Sequence, residues 1–279
     1  MRNGAIVLGT FDGIHKGHMA VLDSAKEYNP KTVITFAVPP AMDEQPELIL
    51  TAAEKNQRLE EMGFSVSVLD FSKVHSIPAA DFLEMMDEKY SPEIICCGFN
   101  YRFGHLGKGD AELIKSFAEK KGIKAFIVPA VSEGDIRISS SLIRELIKRG
   151  EMLKAASLLG EEFSVSGEVL HGDSRGRTIG IPTVNFFYPE NIVMARHGVY
   201  AATAVLDGRE YKAVSYIGNR PTYQLDRCIC ETNILDFSGD AYGKRVKIIL
   251  REFLREDKKF DSIHELKSQI EKDILAARQ

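Results

Sequence analysis

The change of rhythm at Gly160 constrains this chain more than any other feature. Before it, short apolar runs alternate with helical stretches. Strand-like runs fall at Ala5–Leu8, Thr32–Phe36, Val66–Leu69, Ile94–Cys97 and Ala125–Val128. Between them, a helix opens near Lys16, and Thr51 with Glu54 forms a capping box for another. Pro78 stands at the start of a third helix, with Phe82, Leu83 and Met86 as its apolar stripe. Leu113, Ile114 and Phe117 mark a fourth, closed by Gly122. This βαβα alternation predicts a Rossmann-like parallel sheet with helices on both faces.

After Gly160 the strand-like runs come close together: Phe163–Leu170, Val199–Leu206, Tyr211–Ile217, Cys228–Phe237 and Val246–Phe253. Asp207-Gly208 is a hairpin signal between two of them. Strands without intervening helices predict an antiparallel barrel or sandwich. One helix closes the chain, capped by Ser262 and Glu265, with Ile263, Leu266, Ile270 and Ile274 expected along one face. At 279 residues and 44% hydrophobic composition the chain can support one large or two modest domains with their own cores. The boundary is expected between residues 155 and 162, dividing the chain into 1–158 and 159–279.

The net charge is −4 and the sequence pI about 6.0, with no Lys/Arg-rich block. The electrostatic footprint of a general nucleic-acid binder is missing, whereas a nucleotide needs only a local positive site. The opening segment MRNGAIVLGT is too short for a signal or membrane segment. Cys96, Cys97, Cys228 and Cys230 lie in strand-like runs without zinc-knuckle spacing, so reduced thiols are expected. Together these readings predict a cytoplasmic protein, with no nucleic-acid or membrane partner.

Three segments of the first half could bind a nucleotide. Gly9-Thr10-Phe11-Asp12-Gly13-Ile14-His15-Lys16-Gly17-His18 follows the first strand and opens a helix. Glycines let backbone approach phosphates, and a helix N-terminus attracts negative charge. His15 and His18 could stabilise charge as pyrophosphate leaves; a tight turn with surface histidines, or a chelating pair, are the other readings. Arg137-Ile138-Ser139-Ser140-Ser141-Leu142-Ile143-Arg144 offers hydroxyls and two guanidiniums for a second phosphate clamp, or an ordinary serine cap. Gly98-Phe99-Asn100-Tyr101-Arg102-Phe103-Gly104 follows the fourth strand, where ligands bind in open α/β sheets.

In the second half, the stretch from His171 to Asn185 contains Gly172, Asp173, Gly180 and Pro182, and its first part could wrap phosphates through backbone N–H groups. It is not a Walker A loop. Thr183 and Asn185 alternate on an expected strand, so both face one way, and their oxygens suit Mg²⁺. A surface turn leading into an edge strand is the alternative. Glu231 sits within a strand, either solvent-facing or placed to accept a hydroxyl proton during phosphoryl transfer.

The histidine loop, the G-x-N-Y-R-F-G loop and the R-I-S-S-S-x-I-R segment together resemble the prokaryotic bifunctional riboflavin kinase/FAD synthetase family. So do G-x-P-T-x-N, Ile217-Gly218-Asn219-Arg220-Pro221-Thr222, E-T-x-I-L-D-F and Asp240-Ala241-Tyr242-Gly243. The resemblance runs from Gly9 to Arg278. It implies that Gly9, Phe11, Asp12, Gly13, His15 and His18 engage ATP, with Asn100 lining the site and Arg137, Ser140, Ser141 and Arg144 as the second clamp. It further implies that Thr183 and Asn185 hold Mg²⁺ and ATP, with Gly172, Asp173, Gly180 and Pro182 around the nucleotide and Glu231 as the base.

The resemblance also implies a six-stranded antiparallel barrel with a terminal helix behind the nucleotidyltransferase domain. ATP is then the co-substrate, Mg²⁺ the cofactor, and riboflavin and FMN the other small-molecule partners of a monomer or weak homo-oligomer. One departure stands out: where the family has T-F-x-P-H-P, this chain reads Thr35-Phe36-Ala37-Val38-Pro39-Pro40, with Pro39 in place of the histidine. The alternatives are a riboflavin kinase with a regulatory front domain and a non-catalytic flavin-binding regulator.

Overall fold

The computed structural model describes residues 2–38, 47–171, 180–219 and 227–279. By contacts the chain divides into two compact units, Met1–Leu142 and Ile143–Gln279.

In the first unit, β1 (Ala5–Leu8), β2 (Lys31–Phe36), β3 (Ser65–Leu69), β4 (Ile94–Gly98) and β5 (Lys124–Val128) form a parallel sheet in the order β3-β2-β1-β4-β5. Successive residues point to opposite faces, and the core is sorted accordingly. Val7, Val33 and Cys96 pack with Val21 and Leu22 of α1 (Lys16–Asp23) and Leu59 of α2 (Ala52–Glu61). Ile6, Leu8, Ile34, Ile95 and Cys97 form a second cluster. It includes Phe82, Leu83 and Met86 of α4 (Ala79–Tyr90) and Ile114 and Phe117 of α5 (Ala111–Lys121). The strand order reverses between β1 and β4, so the carboxyl ends of these two strands flank the topological switch point.

The Thr51–Glu54 capping box is formed in both directions, and Gly122 closes α5 in the left-handed conformation. Short elements escaped the sequence patterns: α3 (Phe71–Val74) and the hairpin of β6 (Ser132–Glu133) and β7 (Ile136–Arg137). Helix α6 (Ser140–Arg149) follows.

The second unit contains α7 (Met152–Leu159), β8 (Ser164–Glu168), β9 (Val184–Phe187), β10 (Gly198–Leu206), β11 (Arg209–Asn219), β12 (Cys228–Ile234), β13 (Arg245–Arg255) and α8 (Ile263–Arg278). The six strands are antiparallel in the order β8-β13-β10-β11-β12-β9. A bridge between Leu170 and Asn185, with the Leu170 N–H donating to the Asn185 carbonyl at 2.8 Å, brings β9 back beside the chain leaving β8. The result is a nearly closed barrel, which leaves little unpaired edge. Asp207 and Gly208 both take positive φ, as the tight β10–β11 hairpin requires.

Two details differ from the sequence expectation. The strand from Cys228 ends at Ile234 rather than Phe237, where the chain turns and Asp236 takes a φ of +60°. Ile263 lies outside the packed face of α8, at 70% exposure, while Leu266, Ile270 and Ile274 are partly covered. A polar clamp fixes that helix as well: Asp273, nearly fully buried, receives a forked pair of bonds from Arg255 at 3.1 and 2.8 Å.

Helix α7 buries Met152, Ala155, Leu158 and Leu159 and packs on β13. A fragment beginning at Ile143 should therefore unfold cooperatively in urea. One beginning at Glu161 should unfold at a clearly lower midpoint, because deleting large buried side chains costs about 2–5 kcal/mol each. Equal midpoints would instead place the folding boundary at Gly160 and reduce α7 to a connector.

Candidate active sites

The loop leaving β1 is held in an unusual backbone conformation. Phe11, Gly13 and Ile14 all take positive φ, at +53°, +85° and +44°. For Phe11 and Ile14 this is a costly state, sustained only where surrounding structure enforces it. Phe11 and Ile14 are buried, and a side chain at Gly9 would collide with the Phe11 ring at 2.8 Å. The buried Asp12 fastens the loop by accepting from the Ile49 N–H at 2.9 Å. These constraints deliver His15 to the N-cap of α1, where its Nδ1 accepts the His18 N–H at 3.2 Å. The His15 ring proton of the neutral form therefore resides on Nε2. The two imidazoles stack at 3.6 Å between centroids, and the Phe11 ring meets His18 edge-on at 5.3 Å.

The three nucleotide-type segments converge around this loop. Ser140 Oγ donates to the Asp12 carbonyl at 3.0 Å, joining the serine segment to the histidine loop. The Arg137 guanidinium lies over the Phe99 ring at 4.6 Å, beside the exposed Asn100. Ser139 Oγ accepts the Leu142 N–H at 3.3 Å, so this serine caps the helix as its chemistry favours. Ser141 is exposed. Arg144 is half-buried on the next turn of α6, beyond the Leu142/Ile143 division.

His18 and Lys55 are both electrostatically perturbed. Burial, then the stacked His15, then the charge of Lys55 hold the His18 imidazole well below its ordinary 6.5. Its Nδ1 is buried without a hydrogen-bond partner. Lys55, only 3% exposed, is lowered by burial to about 8, with Asp12 opposing that shift. The motif reading missed Lys55. The available signal was its place four residues before the buried Leu59, on the sheet-facing side of α2.

In the barrel, Glu231 on β12 stands opposite Asn185 on β9 in the strand register. The Thr183 hydroxyl donates to Glu231 Oε1 at 2.8 Å. Asn185 Oδ1 is buried and lacks a partner. Asn233, two residues along β12, donates to the Pro182 carbonyl at 2.6 Å and anchors the entry to β9. Thr183 lies in the wall of a cleft of about 370 Å³ also lined by Gly180, Pro182, Phe237, Asp240 and Tyr242. The His171 ring stacks on Tyr242 at 3.9 Å.

The structure therefore brings Thr183, Asn185 and Glu231 together, with Gly180 and Pro182 beside them. Gly172, Asp173 and Arg220 to Thr222 lie outside the described residues, as does Pro39. Sequence reasoning missed the anchoring role of Asn233, which sits inside a motif as a variable position. All four cysteines are free, as expected. Among the described residues, no group of three or more His, Cys, Asp or Glu side chains could hold a metal ion.

An open parallel sheet with a histidine loop at its switch point, and a barrel with a hydroxyl–amide–carboxylate cluster, define a two-part nucleotide-using transferase. The riboflavin kinase family model matches residues 159–279, and the FAD synthetase model matches residues 1–142. A bifunctional riboflavin kinase/FMN adenylyltransferase from Bacillus subtilis (strain 168) is 33% identical, covering 96% of this chain and 89% of that protein. Its namesake from Escherichia coli (strain K12) is 32% identical, over 98% and 91%. A crystal structure described as a macrolide-efflux protein from Streptococcus pneumoniae superposes with a TM-score of 0.90 at 33% identity, covering 100% of this chain and 94% of that one. The chain belongs to the bifunctional riboflavin kinase/FMN adenylyltransferase family. Among the described residues, no helix is long and apolar enough to cross a membrane.

The depressed His18 has a consequence for stability. The folded protein refuses a proton that the unfolded chain takes up near 6.5. Below that pH the unfolded state binds more protons, so stability falls on acidification, by at most about 1.4 kcal/mol per pH unit from this one group. Urea unfolding at pH 7 and pH 5 should show a smaller acid-induced loss in His18→Asn than in the unaltered chain. Identical losses would contradict the buried, neutral state of His18.

Proposed function

We propose that the barrel phosphorylates riboflavin with ATP to give FMN, and that the histidine-loop unit then adenylylates FMN with a second ATP to give FAD and pyrophosphate. The observation that carries the first step is the Thr183–Glu231 hydrogen bond with Asn185 in register beside it. Glu231 accepts the proton of the ribityl 5′-hydroxyl as that oxygen attacks the γ-phosphorus, and ADP leaves. A weak, high-pKa alcohol needs such a positioned base.

Mg²⁺ fits this cluster. Thr183 Oγ1 and the unpartnered Asn185 Oδ1 are neutral hard-oxygen donors. They would share the ion with nucleotide phosphates, a usual arrangement for a cation that keeps few protein ligands. When bound, Mg²⁺ neutralises charge on the phosphates.

For the second step, His15 and a neutral His18 engage the α-phosphate region, with Ser140, Ser141 and Arg137 as a second clamp. A phosphate oxygen of FMN attacks the α-phosphorus of ATP, and pyrophosphate leaves. Donors at the end of α1 stabilise the developing charge. Gly9 and Gly13 leave room for the Phe11 ring and the Ile49 side chain, while Phe11 and Asp12 fix the loop. Asn100 lines the nucleotide side.

We assign the first activity to 159–279 and the second to 1–158. The family models leave residues 143–158 unmatched.

Glu231→Gln keeps size and hydrogen bonding but cannot take the proton. Its kcat for FMN formation should collapse by about 10² to 10⁴, with riboflavin and ATP binding largely retained and adenylylation of supplied FMN unaffected. Near-normal kinase turnover in a variant with a native circular dichroism spectrum would rule Glu231 out as the base. His18→Ala should show the converse: FAD formation lower by roughly 10²-fold or more, with FMN formation barely changed. Equal losses in both reactions would contradict the separation of the two sites.

A further inference from the structure

We infer that Lys55 is a positioning residue for adenylylation, tying the carboxyl ends of β1 and β2 together and placing a positive charge beneath the histidine loop. The inference rests on the reading of that loop as the adenylylation site. Lys55 Nζ donates to the Thr10 carbonyl at 3.1 Å, to Thr35 Oγ1 at 3.2 Å and to the Phe36 carbonyl. Thr35 Oγ1 in turn donates to the Thr10 carbonyl at 3.0 Å. An ammonium has three hydrogens, and three acceptors take them. These acceptors belong to the last residue of β2, its neighbour, and the second residue beyond β1. The ammonium thus fixes the separation of two strand ends at the mouth of the sheet.

The geometry exceeds what a strand tie needs. None of the three hydrogen-bond acceptors is a carboxylate, so dipoles solvate the ammonium directly, and the Asp12 carboxylate acts on it by charge. Burying a charge this way is costly, and a neutral side chain could fill the space. A positive charge there has a use where a triphosphate is to be held and where an imidazole must stay neutral. The titratable groups acting on the Lys55–His18 pair are Asp12, on the loop after β1, and His15, at the cap of α1. The ends of β1 and β2 contribute carbonyls and a hydroxyl. Because burial lowers Lys55 to about 8, alkaline solution removes the charge and one donor.

The test uses the full chain and the variant Lys55→Met, which keeps volume and loses charge and donors. Three measurements are made: FAD formation from supplied FMN and ATP, FMN formation from riboflavin, and the titration of the His18 ring followed by nuclear magnetic resonance. In the variant, kcat for FAD formation should fall roughly tenfold or more, while FMN formation stays unchanged. The His18 midpoint should rise by about half to one pH unit, as expected on removing a nearby like charge.

In the unaltered chain, FAD formation should decline as pH rises through about 8, a limb the kinase reaction lacks. An unmoved His18 midpoint, or FAD turnover unaffected by the substitution, would overturn the proposal. Should Lys55→Met fail to fold, an FAD-forming profile in the unaltered chain that stays flat as pH rises through about 8 would overturn it just as well. A chain that makes no FAD at all would defeat the adenylylation reading itself; the His18 titration would still decide whether Lys55 acts on that imidazole.

Discussion

The hydrogen bond from Thr183 to Glu231 ties the residue entering β9 to β12, next to the Asn185–Leu170 bridge that nearly closes the barrel. A carboxylate among strand residues must find donors or water, because an unpaired buried charge is costly. Thr183 supplies one donor, while Asn233 holds the preceding Pro182 carbonyl. The same β9 segment pairs on its other side with Leu170, so Asn185 is gripped through its backbone while its side-chain oxygen stays unpaired. The strand pairing that nearly closes the barrel also groups these side chains. The strands must meet in this register for the hydroxyl, the amide and the carboxylate to share one face.

The first unit reaches a similar end by other means. Its sheet is sealed on both faces by helices, leaving the carboxyl ends of β1 and β4 as the open crevice. The loop leaving β1 is wedged into left-handed backbone by the burial of Phe11 and Ile14 and tied by Asp12. Below it lies the Lys55 ammonium, bonded to groups from both neighbouring strand ends. Strain and buried charge are concentrated at the crevice, while the rest of the sheet is ordinary apolar packing. A stability cost located at a site rather than spread through a fold is the pattern expected of function.

Much of this was legible in the sequence where a local rule acted alone. The capping box at Thr51–Glu54, the Asp207-Gly208 turn and the apolar stripe of Phe82, Leu83 and Met86 each follow from backbone chemistry within a few residues. The grouping of Thr183, Asn185 and Glu231 was legible through family likeness. Alternation alone left Glu231 facing solvent as readily as a substrate. What local rules could not supply was set by long-range packing. The two-residue strands β6 and β7 are too short for a periodic pattern. Ile263 matched the apolar spacing of α8 yet lies in its first turn, outside the packed face. Lys55 resembles any helix-surface lysine until the sheet closes over it.

We propose that one chain carries riboflavin to FMN in its barrel and FMN to FAD at its histidine loop. The most direct measurement is a time course of the full chain with riboflavin and Mg-ATP, with the flavins resolved by chromatography. FMN should appear first, with FAD following after a lag as FMN accumulates. Riboflavin left unconverted by a folded chain would contradict it, and so would FMN accumulation to completion without any FAD.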